Sequence, residues 1–257
     1  MRSEQLASHA VIRLESSAVL APGQVEQVAA SRSVIRTGRG SGVAAWRLAD
    51  THGHFVVLGD RAHAGQVMRR VQLGLQRTLG FGEGFEPARL RRVLDQRHLR
   101  NAVGYTLRQA EHHGTQDLDP WHVASSLPDL LGLRWAGWEH PAGRLPRLDL
   151  DALRGLTGWS GALWQGLDPE DLRVLPAAAA AAVGQPDLRG RDPARVLAKR
   201  AAAHLAHPAM GGVAAGALLG LSASQVRRMQ HQDCPPQLAR AVLAQVSWRL
   251  EVERSKT

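Results

Sequence analysis

The sequence predicts an α+β fold, an antiparallel sheet with helices packed on one face, followed by an all-α C-terminal domain. Three observations carry this. Strand-like and helix-like stretches alternate over residues 1–115; residues 116–190 are rich in Trp, Pro, Leu and Gly; and residues 191–257 have helical periodicity almost throughout. The expected organisation is a mixed domain over 1–115, a linker region with short helices over 116–190, and a helical domain over 191–257.

HAVIRLESSAVL begins as a strand, with Val11, Arg13 and Glu15 alternating against Ile12 and Leu14, and PGQVEQVAAS then opens a helix with proline in its first turn. Val43 to Leu58 reads as a strand hairpin in which Asp-Thr-His-Gly, residues 50–53, supplies the turn. In RAHAGQVMRRVQLGLQRTLG, Val67, Val71 and Leu75 share a helical face and Gly80 stops the helix. A short strand fits within FEPARLRRVLD. RHLRNAVGYTLRQAEHHG is again helical, with Leu99, Val103 and Leu107 four apart and Gly114 as the stop. A ferredoxin-like arrangement is the economical one for strands interleaved with helices in so small a unit.

The middle carries Trp121, Trp135, Trp138, Trp159 and Trp164. Stacking on nucleic-acid bases and burial against a neighbouring domain both explain them, and burial is the commoner fate. Further on, Gly216, Leu219, Gly220, Leu221, Val226 and Met229 have the spacing of a helix-turn-helix. Ser222 and Gln225 form a capping-box pattern at its second helix. Any helical hairpin shares part of that spacing, but Ser224, Gln225, Arg227 and Arg228 on the second helix are of the kinds that read grooves and phosphates, so duplex DNA is the expected partner of this module.

The net charge is +9, and the only lysines are Lys199 and Lys256, so the excess is carried by arginine. Guanidinium groups suit phosphate oxygens, although a GC-rich coding sequence would also favour arginine. The sequence has no apolar run near the roughly 18 residues of a membrane span and no signal-peptide pattern at its start, so a cytoplasmic location is expected. A single cysteine, Cys234, supplies neither an internal disulfide nor a multi-cysteine zinc site, leaving His, carboxylate or amide groups for any metal.

His52 and His54 are separated by one residue in a predicted strand, so both imidazoles project from one face and can converge on one divalent ion. Tyr105, the only tyrosine, and Gln109 lie four apart on a predicted helix, one turn from each other. By itself a His-x-His pair arises by chance and a helical tyrosine usually belongs to a core. Together the two motifs supply two imidazoles, an amide oxygen and a latent nucleophile.

THGHFVVL and LRNAVGYTLRQAEHHG resemble the two motifs of the single-tyrosine HUH transposases, especially the REP-associated tyrosine transposases of bacteria. The resemblance covers residues 9–115 or so, and the helical C-terminal module is similar to the DNA-binding tail of some REP-associated members. It implies a ferredoxin-like fold and Mg or Mn held by His52, His54 and Gln109. It also implies attack by Tyr105 on single-stranded DNA near a hairpin to form a 5′-phosphotyrosine link. A phenol ionises near pH 10, far below an alcohol, so a 3′-hydroxyl can displace it and rejoin the strands. Arg61, Arg69 and Arg70, with Arg89, Arg91, Arg92, Arg97 and Arg100, are expected to track the phosphates. His112, seven residues after Tyr105, is a possible proton acceptor, though His112 and His113 also read as a helix-end pair.

The chain departs from the family at Gly53, where a bulky apolar residue is usual; glycine there is expected to loosen the strand and remove a core anchor. A non-catalytic, domesticated DNA-binding regulator derived from such a transposase is the alternative function. A different His-x-His metal hydrolase is disfavoured because no carboxylate cluster accompanies the histidines. A monomer and a homodimer, with Tyr105 serving its own histidines or a partner's, are both compatible with the sequence.

Overall fold

The protein is described by a computed structural model over residues 5–16, 18–49, 51–109, 123–135, 150–155, 159–164 and 166–254. It divides into two compact units: residues 1–130 with 138–156, and residues 131–137 with 157–257.

The first unit is built from β1 (Ala7–Arg13), α1 (Gln24–Gly38), β2 (Val43–Leu48), β3 (His52–Leu58), α2 (Arg61–Leu79), β4 (Arg89–Val93) and α3 (Gln96–Leu107). The sheet order is β2-β3-β1-β4 with every pairing antiparallel, the ferredoxin-like arrangement. Alternation sorts the strands into two faces. Ala10, Ile12, Trp46, Leu48, Phe55 and Val57 pack with Val34 of α1 and with Val67, Met68, Val71 and Leu75 of α2 in one apolar core. The opposite face carries His9, Val11 and Arg13 of β1, His52, His54 and Val56 of β3, and Arg89, Arg91 and Val93 of β4. Helix α3 lies against that second face.

The helices are punctuated by their sequence. Asp60 accepts from the His63 N–H at 2.8 Å at the start of α2, and Asp95 accepts from the His98 N–H at 2.8 Å at the start of α3. Gly80, in the left-handed conformation, ends α2 as expected. The hairpin differs from expectation. The Ala49 N–H donates to the His52 carbonyl at 2.8 Å, so the chain reverses before His52, and both His52 and Gly53 belong to β3 rather than to the turn.

Gly53 leaves no gap. A Cβ there would stand 2.8 Å from Leu48 Cδ2, 2.9 Å from Phe55 Cε2 and 3.3 Å from Ile12 Cγ1. The neighbours close over the position that a bulky side chain was expected to fill, and the strand stays regular.

The first unit also holds two short helices, α4 (Leu127–Leu130) and α5 (Leu150–Gly155). In the second unit a 3-10 turn (Asp171–Val174) leads into α6 (Leu175–Ala182), then α7 (Pro193–Leu219), α8 (Ala223–Gln230) and α9 (Pro236–Arg254). Leu172, Leu175, Ala178, Ala179, Ala180 and Ala182 are buried with Ala198, Ala202, Leu238, Val242 and Leu250, so residues 172–182 at the end of the expected linker region line a packed core. Trp159 is buried, and Trp135 and Trp164 pack against that core; Trp121 and Trp138 lie outside the described residues.

Helix α7 is broken at Gly211 (φ 76°, ψ 167°), and its second segment turns sharply into α8. Gly220 caps α7 at φ 64°, and a Cβ on Gly216 would come within 2.6 Å of the Leu221 carbonyl oxygen, so the turn folds directly over that glycine. Ser222 and Gln225 form a complete capping box at the start of α8. Among the described residues, no single helix is long and apolar enough to cross a membrane.

Candidate active site

His52 and His54 project from one face of β3, as the strand period requires, with ring centres 4.7 Å apart. A third imidazole joins them. In the β1–β3 ladder Val11 stands opposite His54 and His9 opposite Val56, a diagonal offset that long side chains can span. His9 Nε2 lies 3.2 Å from His54 Nδ1, and the two ring planes differ by 7° with centres 5.4 Å apart. Nitrogens that much closer than the ring centres place the imidazoles end to end in nearly one plane, joined by a hydrogen bond, rather than face over face.

Tyr105 closes the group from α3. Its ring stands at 88° to His9 and 84° to His54, with centres 5.6 and 5.3 Å away, so the phenol lies edge-on across the joint between the two imidazoles. Tyr105 meets histidines of its own chain. It is 41% exposed while His54 is 4% exposed, so the phenol can be approached from solvent and the imidazole is sheltered beneath it.

Gln109 is arranged differently from expectation. Helix α3 ends at Leu107, and Gln109 follows it, fully buried, with its side-chain N–H donating to the Tyr105 carbonyl at 2.7 Å. The amide therefore braces the end of the helix that carries the tyrosine and does not continue an exposed helical face with it. His112 and His113 lie outside the described residues.

The electrostatic surroundings are cationic. Burial, with Arg91 and His98 nearby, pushes the His9 imidazole down to about 4, so it is neutral at physiological pH. Arg91 is its cross-strand neighbour in β4, Arg13 stands opposite His52 in β1, and the buried Arg47 stands opposite His54 in β2. The arginines grouped by sequence divide here. Arg69 and Arg70 are exposed on α2, which packs on the other face of the sheet. Arg61 on the same helix donates to the Leu90 carbonyl at 3.0 Å, and Arg92 pairs opposite Ser8 on that helix-covered side. Arg100, exposed on α3, belongs to the histidine side. In the second unit Ser224, Gln225, Arg227 and Arg228 are exposed on α8, whose buried residue is Val226.

No family model and no curated protein match the chain. One solved structure is similar. It is that of a REP-associated tyrosine transposase bound to a REP hairpin, with a TM-score of 0.41 and 15% sequence identity, over 64% of this chain and 87% of that one.

The signal for His9 was present in the sequence but needed the sheet order. His9 shares the parity of Val11 and Arg13, the side of β1 opposite Ile12 and Leu14, and reaches His54 only because β1 lies between β3 and β4. Among the described residues no three His, Cys, Asp or Glu side chains are grouped to hold a metal ion. Any ion at His52 and His54 would draw its remaining ligands from other donor types, such as an amide, water or phosphate oxygen. Two imidazoles on one strand face suit a divalent first-row ion such as Mn, and hard oxygen donors from a substrate phosphate suit Mg or Mn.

Proposed function

We propose that this protein cleaves and rejoins single-stranded DNA, with hairpin-associated DNA as substrate, through a phosphotyrosine formed on Tyr105. The observation that carries the reading is the meeting of the His52–His54 pair and the Tyr105 phenol on one half-sheltered sheet face. The motif resemblance of THGHFVVL and LRNAVGYTLRQ is consistent with it.

His52 and His54 would hold Mg or Mn, and Gln109, whose amide N–H donates to the Tyr105 carbonyl, would offer its amide oxygen as third protein donor. The bound ion would supply Lewis-acid polarisation of the phosphate. Tyr105 Oη attacks phosphorus, the Oη–P bond forms as the P–O3′ bond breaks, the phenolic proton passes to solvent, and the departing 3′-oxygen takes one from solvent to become a hydroxyl. Rejoining runs the other way: a 3′-hydroxyl attacks phosphorus and the phenolate departs. Arg91 and Arg13, at opposite ends of the histidine row, are placed to attract the flanking phosphates, and Arg100 extends that surface along α3.

The test is incubation with single-stranded hairpin DNA and Mg or Mn, then a denaturing gel. A covalent protein–DNA adduct that disappears in Tyr105→Phe supports the reading. A second reading draws on the second unit, where the sharp α7–α8 turn and the exposed Ser224, Gln225, Arg227 and Arg228 suit a duplex major groove. Duplex binding with no adduct across a broad hairpin library favours a DNA-binding regulator instead.

A further inference from the structure

We propose that His9 is a positioning residue, whose Nε2 accepts a hydrogen bond from His54 Nδ1–H and so holds His54 in the tautomer that ligates through Nε2. The inference rests on the reading that His54 holds a divalent ion. A metal-bound imidazole uses one nitrogen for the ion and donates from the other, usually to a carboxylate, a backbone carbonyl or water, and that partner fixes both tautomer and ring orientation. The polar strand residues of this face, among those described, are His9, Arg13, Arg47, His52, His54, Arg89 and Arg91, and none is a carboxylate. At His54 the His9 imidazole stands in that place. The 3.2 Å separation and the near-common ring plane aim the lone pair of one nitrogen at the proton of the other, the geometry of a directed bond.

The β1–β3 ladder holds the pair in place. Because His9 and His54 are offset by one paired step, the bond is set by backbone register rather than by two flexible side chains finding each other. Tyr105, edge-on to both rings, registers any rotation of His54, so His9 also sets where the phenol rests relative to that ring.

The test compares His9→Gln, whose amide oxygen can accept the same proton, with His9→Leu, which keeps bulk but accepts nothing. The first readout is the ring 15N spectrum of His54 in the metal-free full-length protein, assigned by its loss in His54→Gln. The wild type is expected to show the Nδ1–H tautomer, His9→Gln to keep it, and His9→Leu to lose it. The second readout is Mn2+ affinity, followed through the electron-spin resonance of the free ion. His9→Leu is expected to bind about 10- to 100-fold more weakly and His9→Gln within a few fold of wild type. An Nε2–H tautomer in the wild type, or equal behaviour of the Leu and Gln variants, overturns the inference. An Nδ1–H tautomer in a wild type that takes up no Mn2+ upholds the His9–His54 bond and overturns the metal reading instead.

Discussion

Restoring a bulky apolar residue between the two histidines, by Gly53→Val, is expected to weaken the protein, although the family resemblance points the other way. Carbon atoms pack best at about 3.5–4.0 Å, and a Cβ at position 53 would meet Leu48 Cδ2 at 2.8 Å and Phe55 Cε2 at 2.9 Å. Leu48, Phe55 and Ile12 are 0–2% exposed in the core under α1 and α2, so they cannot swing into solvent. Overpacking of this kind costs about 1–3 kcal/mol, against a gain of roughly 0.4–1 kcal/mol from a stiffer unfolded chain. Gly53→Ala should therefore lose about 1 kcal/mol, and Gly53→Val, with two further methyl groups, about 3 kcal/mol. For a unit of this size the latter lowers Tm by roughly 6–12 °C. Because two units can unfold separately, the change is read by calorimetry together with amide exchange in β1 and β3. Leu48→Ala alone should cost about 2–5 kcal/mol, yet combined with Gly53→Val it should cost about 1–2 kcal/mol less than the sum. A Gly53→Val protein as stable as the wild type would refute the packing argument, and strictly additive losses would show that Leu48 is not the obstructing neighbour.

Acid should destabilise the first unit through His9. The unfolded chain takes up a proton near 6.5 and the folded one only near 4, so stability is full above 6.5 and falls as pH drops toward 4, by roughly 2–3 kcal/mol at about 1.36 kcal/mol per pH unit. Thermal melts from pH 7 to 4 with chelator present should show this slope in the wild type and a shallower one in His9→Gln. Gly216→Val should destabilise the second unit by about 2–3 kcal/mol, since its Cβ meets the backbone oxygen of Leu221 rather than a movable side chain; a chemical melt of the full chain, followed by amide exchange in α7 and α8, reads it. Replacing Arg227 and Arg228 with alanine should weaken duplex binding and reduce the slope of log affinity against log salt by about two; an unchanged slope means that neither touches phosphate.

The alternation of β1, the helical face of Val67, Val71 and Leu75, and the Gly216, Gly220 and Val226 spacing all reached the structure as read, because each is a local period with one face to bury. The alanine run from 177 to 182 hid its role. An all-apolar stretch has no period, yet small side chains let α6 come close to its neighbours, and Ala178, Ala179, Ala180 and Ala182 are all buried. Gly53 lies in β3 although its sequence marks a turn, because glycine marks both turns and close contacts, and only the positions of Leu48 and Ile12 tell them apart. His9 is harder to read for a different reason: its partner is 45 residues away, and only the β1–β3 register brings the two rings together.

A one-residue slip of β3 would turn both histidines from the open face into the core, so the chemistry depends on what pins the register. In β3 Gly53 stands opposite Ile12 on one side and Leu48 on the other, in a slot too narrow for a Cβ, and its neighbours in sequence are the two imidazoles. A slip in either direction would force an imidazole into that slot, unpaired and desolvated, at a cost of several kcal/mol. The glycine between the histidines is thus the residue that keeps both of them facing Tyr105, held in a slot that admits no Cβ.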